Sequence, residues 1–155
     1  MTPPAVPADG AEPASAGPVL DGIREEFLAV DKPERLQLLL EFANELPELP
    51  PRLADHPDLL ERVDECQSPV FIVLEREGTG VRMHATAPRE APTTRGFASI
   101  LAQGITGLTP EQVLAIPEDF ALTLGLTDSV SPLRLRGMTG MLGRAKRQVR
   151  ELPAA

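Results

Sequence analysis

"SPVFIVLEREGTGVRMHATA", residues 68–87, decides the fold. Val70 to Leu74 form an unbroken apolar run rich in β-branched and aromatic side chains, too short for an ordinary helix and well suited to a strand. A run without alternation reads as a strand covered on both faces. Gly78-Thr79-Gly80 is a turn signal, and beyond it Val81, Met83 and Ala85 alternate with Arg82 and His84. The reading is an antiparallel hairpin.

Helical spacing flanks this hairpin on both sides. Upstream, Leu20, Ile23, Phe27 and Val30 recur at helical intervals, and Leu36, Leu39, Leu40, Ala43 and Leu46 form a second apolar face. Pro33 falls in the first turn of that second helix, after Asp31. The proline-rich stretch 47–57 reads as loop, and 61–65 as a possible short strand. Downstream, Phe97, Ile100, Leu101 and Ile105 share one helical face, which Gly107 can end. Thr109, Pro110 and Gln112 carry the signature of a capping box. A last helix spans about 133–151, with Met138, Met141, Leu142, Ala145 and Val149 as its stripe. Arg144, Lys146, Arg147 and Arg150 crowd its carboxyl-terminal half, where the helix dipole favours cations. Helices flanking one small meander define an α+β class, not an alternating βαβ one. Residues 1–18, rich in Pro and Ala, are expected to be a disordered tail, and 19–152 a single domain.

Composition narrows the partners. The net charge of -8 repels nucleic-acid backbones and anionic membranes. The chain has no Trp, no Tyr and five Phe, which removes most platforms for base stacking. No apolar run is long enough to cross a bilayer, and the amino terminus lacks the pattern of a secretory signal. The expected location is cytoplasmic, where a free thiol persists.

The only cysteine, Cys66, allows no internal disulfide and no cysteine-rich metal site. Two readings stand side by side. Free cysteine is among the most often buried residue types, and Cys66 can be a small hydrophobe. It also lies between Asp64-Glu65 and Gln67-Ser68-Pro69, just ahead of the best strand, where a loop can present a reactive group. Adjacent carboxylates disfavour the thiolate, so a self-activated nucleophile needs a cation or imidazole nearby. His56 reads as a solvated loop residue and His84 as a packed strand residue; their separation has no metal-ligand spacing. Arg134 and Arg136 open the last helix, either as a solvated basic end or as a contact for an acidic or anionic partner.

"CQSPVFIV", 66–73, is similar to the Cys-Gln-Ser-x-Val-aromatic-Ile-Val signature of the SufE family of sulfur acceptors in iron–sulfur cluster biogenesis. "PERLQLLLEFANELPELP", "TRGFASIL", "LTPEQVLAI" and "SPLRLRGMTGM" resemble other family segments, in order, over about residues 20–151. The resemblance implies a small antiparallel sheet of about three strands with helices packed on one face. It implies that a PLP-dependent cysteine desulfurase hands sulfur to Cys66 as a persulfide, and that an iron–sulfur cluster scaffold receives it next. Arg134 stands at the family's arginine position near the last helix, with a supporting or docking role. Gly96 and Gly137 stand at packing positions. No cofactor or metal is implied, and no independent turnover. Two departures are visible. Glu65 stands where the family commonly has glycine, and the segment "TAPREAPTTRG" has only Glu90 as an acid. Competing readings are a non-catalytic adaptor of the same fold with a packed thiol, and a cysteine hydrolase, which needs a histidine partner.

Overall fold

The computed structural model describes residues 14–153. In chain order the elements are α1 (Pro18–Leu28), α2 (Lys32–Asn44), α3 (Pro51–Ala54), β1 (Glu61–Arg62), β2 (Phe71–Glu77), β3 (Gly80–Thr86), α4 (Pro92–Ile105), α5 (Pro110–Leu114) and α6 (Pro132–Glu151). Single 3-10 turns lie at Pro57–Leu59 and Phe120–Leu124. The class is α+β, as the patterning indicates.

The three strands form one antiparallel sheet in the order β1-β2-β3. Gly78 turns the hairpin with a φ of 63°, a conformation that side-chain-bearing residues rarely adopt, and Glu77 pairs with Gly80 across it. The register sets Ile72 opposite Ala85 and Leu74 opposite Met83, so these side chains share a face and are all buried. Phe71, Val73, Glu75, Arg82, His84 and Thr86 occupy the other face, and none of them is buried. This corrects the expectation of a strand covered on both faces. Helices α4 and α6 cover one face, as the family resemblance implies. The second face has only a partial cover: Arg52 of α3 pairs with Glu75, and the Arg62 guanidinium lies 6.0 Å from the Phe71 ring centre. The proline-rich stretch is therefore not all loop, since α3 turns within it and buries Leu53 completely.

Helix α4 is the central pillar. Phe97, Ile100, Leu101 and Ile105 are fully buried, as their spacing predicts. It packs against α1, α2, α6 and β3 together. Two glycines allow the close approaches: a Cβ on Gly96 would overlap the Leu39 carbonyl oxygen, and one on Gly104 would overlap the Leu20 side chain. Helix starts follow their capping residues. Asp31 accepts from the Glu34 amide, Thr109 and Gln112 complete a capping box, and Ser131 accepts from the Arg134 amide.

Sheet edges are closed by side chains and loops instead of further strands. On the β2 edge, Gln148 of α6 accepts from the Leu74 amide at 2.8 Å and donates to the Ile72 carbonyl at 3.4 Å. On the β3 edge, the Val81 amide donates to Leu108 O and Thr106 Oγ1 accepts from the Met83 amide.

Of the expected tail, residues 1–13 lie outside the described residues. Residues 14–18 depart from the expectation. Ala16 is buried, its amide donates to Asp21 at 2.7 Å, and Arg24 reaches the Ala14 carbonyl. The packed domain thus begins several residues earlier than composition suggests, because Asp21 and Arg24 supply partners for backbone that would otherwise be unpaired. Gly96→Ala is expected to lower the unfolding free energy by about 2–3 kcal/mol, since backbone on α2 must retreat from the new methyl. Urea unfolding followed by circular dichroism measures it.

Candidate functional site: a thiol at a hairpin tip

The Val63 amide donates to the Val70 carbonyl at 2.9 Å, continuing the β1–β2 pairing by one step. Both valines are fully buried. Residues 64–69 form the loop beyond this anchored base. Ser68-Pro69 ends the ladder there, because proline has no amide proton to continue it. Cys66 sits mid-loop, with its amide donating to Val63 O at 3.0 Å.

The loop folds down onto α6. Cys66 is 6% exposed, and its Sγ lies 3.6 Å from the Gly137 carbonyl oxygen, to which the thiol donates. A Cβ on Gly137 would come within 3.1 Å of that sulfur, and one on Gly140 within 2.6 Å of Glu65 Cγ. The absence of side chains at these two positions gives the loop its bed. The expectation that Gly137 is a packing position holds, and the atom it packs against is the cysteine sulfur.

Electrostatics follow from this placement. Burial pushes the Cys66 thiol up, the Glu65 carboxylate pushes it further, and the Arg144 charge pulls only weakly the other way, so it reaches about 11. Arg144 Nε donates to Glu65 Oε1 at 2.6 Å and its Nη1 to Glu61 Oε2 at 2.8 Å. The same guanidinium reaches the Arg62 carbonyl, and Asp64 lies 3.5 Å away. Arg147 and Gln148 also bond Glu61. Burial is the largest single influence on the Glu65 carboxyl and raises it, but the hydrogen bond and charge of Arg144, with a backbone hydrogen bond, together outweigh it and hold the group below the usual carboxylate range. One guanidinium from α6 thus faces both acids that precede the cysteine, closely at Glu65 and at 3.5 Å from the exposed Asp64.

A cleft of about 80 Å³ opens beside the sulfur, lined by Glu65, Cys66, Gln67, Ser68, Thr94, Leu133, Arg134 and Gly137. The structure therefore brings Cys66 and Arg134 to one opening. Arg134 is exposed, donates to Thr93 Oγ1 at 3.4 Å, and makes no ion pair among the described residues. The histidines stand elsewhere. His56 is exposed in the loop before the 3-10 turn. His84 sits on β3, with Nε2 removed from solvent and 3.3 Å from Glu75 Oε1, off the line of a hydrogen bond. Burial holds its pKa below the ordinary value despite Glu75. No group of three or more His, Cys, Asp and Glu residues able to hold a metal ion occurs among the described residues.

Arg144 is the site residue that sequence reasoning missed. In the sequence it reads as one of four cations favoured by the helix dipole. The signal that could have pointed to it is the pair Gly137 and Gly140, one turn before Arg144, which marks a helix face open to close approach.

The fold and site define a class: a small α+β domain that holds a solitary thiol on a hairpin loop against a glycine-bearing helix. A sequence profile of the SufE family, described as an Fe-S metabolism associated domain, matches residues 21–149. The chain belongs to the SufE family. It is 51% identical over 140 residues to an uncharacterized SufE-like protein of Mycobacterium tuberculosis, covering 90% of this chain and 96% of that one. It is 27% identical over 84 residues to a Plasmodium vivax protein named cysteine desulfuration protein SufE, covering 52% of this chain and 34% of that one. The solution structure of a hypothetical protein from Thermus thermophilus superposes with a TM-score of 0.77 at 41% identity, covering 87% of this chain and 96% of that one.

A thiol raised in the folded state binds its proton there more tightly than in the unfolded chain. Its contribution to stability is complete below the unfolded thiol's pKa and is lost as pH rises toward about 11. The stability of the wild type relative to Cys66→Ala is therefore expected to fall across that alkaline window and to be flat at neutral pH. Urea midpoints of both proteins across pH measure it.

Proposed function

We propose that Cys66 takes sulfane sulfur from a PLP-dependent cysteine desulfurase, stimulates that enzyme by emptying its persulfide, and passes the sulfur to an iron–sulfur cluster scaffold. The observation that carries this reading is the position of the thiol: buried, yet on a loop tip whose anchored base lets it move without breaking the sheet. Family membership and the printed name of the Plasmodium relative point to the same chemistry.

The transfer balances without an added oxidant. The Cys66 thiolate attacks the terminal sulfur of the donor's persulfide, the donor's S–S bond breaks, and the donor cysteine leaves with the electron pair as thiolate. Cys66 then carries one additional sulfur. The reaction needs one accessible thiol and no resolving cysteine, matching the count in the chain. It also needs a thiolate, which the closed loop disfavours, so attack follows an outward swing of Cys66 when the donor docks. Leu133, 42% exposed, and Arg134, which has no ion-pair partner among the described residues, form the rim of the cleft and offer the donor one apolar and one cationic contact. A reducing cytoplasm suits the unpaired thiol. No helix among the described residues is long and apolar enough to cross a membrane.

Two other readings are weaker. A hydrolase needs an imidazole at the nucleophile, and neither histidine lines the cleft. An adaptor with a packed structural thiol is favoured by the burial of Cys66, and the same experiment separates it from the acceptor.

Incubation with a desulfurase, PLP and cysteine is expected to add one sulfur atom to the intact mass, removable by reductant. Cys66→Ser is expected to fold normally, to gain no sulfur and to give no stimulation. Undiminished stimulation by that variant would refute the acceptor role and leave the adaptor. Arg134→Ala is expected to raise the concentration for half-maximal stimulation about three- to tenfold while leaving the rate of Cys66 alkylation in the free protein unchanged. Titration of desulfurase activity measures the first quantity.

A further inference from the structure

We propose that Arg144 is a positioning residue: its ion pair with Glu65 is the latch that keeps the Cys66 loop closed, and parting that pair is the step that exposes the thiol. The bearing of this on sulfur uptake rests on the acceptor reading above; the latch itself does not.

The backbone hydrogen bonds of residues 64–69 are local, from the Cys66 amide to Val63 O and from the Val70 amide to Ser68 O. None of them reaches α6. The one bond from the cysteine to α6 is the thiol's long contact with Gly137 O at 3.6 Å, a weak donor at a long distance. Packing is smooth where the loop meets the helix, because Gly137 and Gly140 present no side chains to interlock with it. Arg144 makes the strong contacts. It bonds Glu65 inside the loop, and Glu61 and the Arg62 carbonyl on the anchored base, while Asp64 adds its charge at 3.5 Å. The guanidinium therefore ties both the loop and the anchored base of one hairpin to a third element. Its side chain is 25% exposed and that of Glu65 36%, so the pair is partly screened and open to competition. That is the exposure a releasable contact needs. A fully buried pair would resist parting, and an isolated surface pair would hold little.

Glu65 is the residue that makes the latch possible. Its stem lies across Gly140, and its carboxylate meets Arg144 one helical turn beyond. A glycine at position 65 would leave Arg144 paired with Glu61 on the anchored base, and would leave the loop tied to α6 only through the longer contact to the largely exposed Asp64.

The sign of one effect separates this proposal from simple local electrostatics. The Arg144 charge favours the Cys66 thiolate, so its removal, with the loop unmoved, would slow alkylation. Acceleration on removal can come only from opening. The experiment is the rate of iodoacetamide labelling of native Cys66, divided by the rate for the same protein denatured in urea. No desulfurase is involved, so failure here is distinct from failure of the acceptor reading. Arg144→Gln is expected to raise the ratio roughly tenfold; Glu65→Gln also removes a charge that raises the thiol, so it is expected to accelerate labelling at least as much, and the double variant no further than the larger single effect. Arg144→Lys is expected to restore most of the closure. Salt at about 1 M is expected to accelerate the wild type but not Arg144→Gln. Hydrogen exchange of the α4 amides is expected to be unchanged in every variant. Labelling of Arg144→Gln at or below the wild-type rate would overturn the latch. So would additive effects in the double variant, or acceleration accompanied by loss of protection in α4, which would make Arg144 a general stabilising residue.

Discussion

The placement of Cys66 rests on a single electrostatic constraint. Burying a thiol next to Asp64 and Glu65 risks carrying their carboxylates out of water with it, and an unpaired buried charge costs far more than a buried thiol gains. Arg144 resolves the conflict from the outside. It meets Glu65 and, at longer range, Asp64 at the edge of the loop, so the sulfur turns inward while Glu65 stays paired and Asp64 stays largely exposed. Without a cation at this point on α6, the backbone would have to choose between exposing the cysteine and stranding the acids.

That cation works because α6 can be approached so closely. Glycines stand at four of the close approaches to the helices of this molecule. Gly96 and Gly104 let α2 and α1 settle on α4, and Gly137 and Gly140 let the cysteine loop settle on α6. The first pair forms a permanent contact, since large apolar side chains such as Leu20 and Leu39 fill the space and are fully buried. The second pair forms a contact without interlocking side chains, its hold supplied by charge at the rim. Similar helix surfaces thus serve a fixed joint and a releasable one, and the difference lies in the residues that meet them.

How much of this was legible depended on whether a feature is periodic. The hairpin, the α4 face and the Thr109 capping box repeat local rules, and each could be read from neighbouring residues. Burial of only one sheet face could not be read from the run Val70 to Leu74, because apolar residues on a half-covered face look the same in sequence as those on a covered one. Phe71 and Val73 are such residues: both are half-buried, Arg62 lies over the Phe71 ring, Arg52 of α3 pairs with Glu75 on the same face, and neither contact leaves a periodic trace. At the site, Cys66 and Arg134 could be singled out from short segments, and the structure sets them on one cleft. The Arg144–Glu65 contact joins residues 79 positions apart. A charge on a helix end already has an adequate explanation in the dipole, so nothing local called for a distant partner.

The closed thiol also has a chemical consequence. A cysteine near its unperturbed pKa is a few per cent thiolate at neutral pH. At about 11, only about one molecule in ten thousand is ionised at pH 7 while the loop is closed. Since oxidation and disulfide exchange both begin from the thiolate, the closed loop protects the sulfur against small oxidants and against other thiols at once. The same burial that shields the group makes it useless to any partner that does not first move it. Selectivity for a protein donor over a small molecule then requires no pocket that recognises either one. On the acceptor reading it would require only that opening the loop depend on contacts with a protein surface, and the exposed rim of Leu133 and Arg134 beside the thiol is where such contacts would fall.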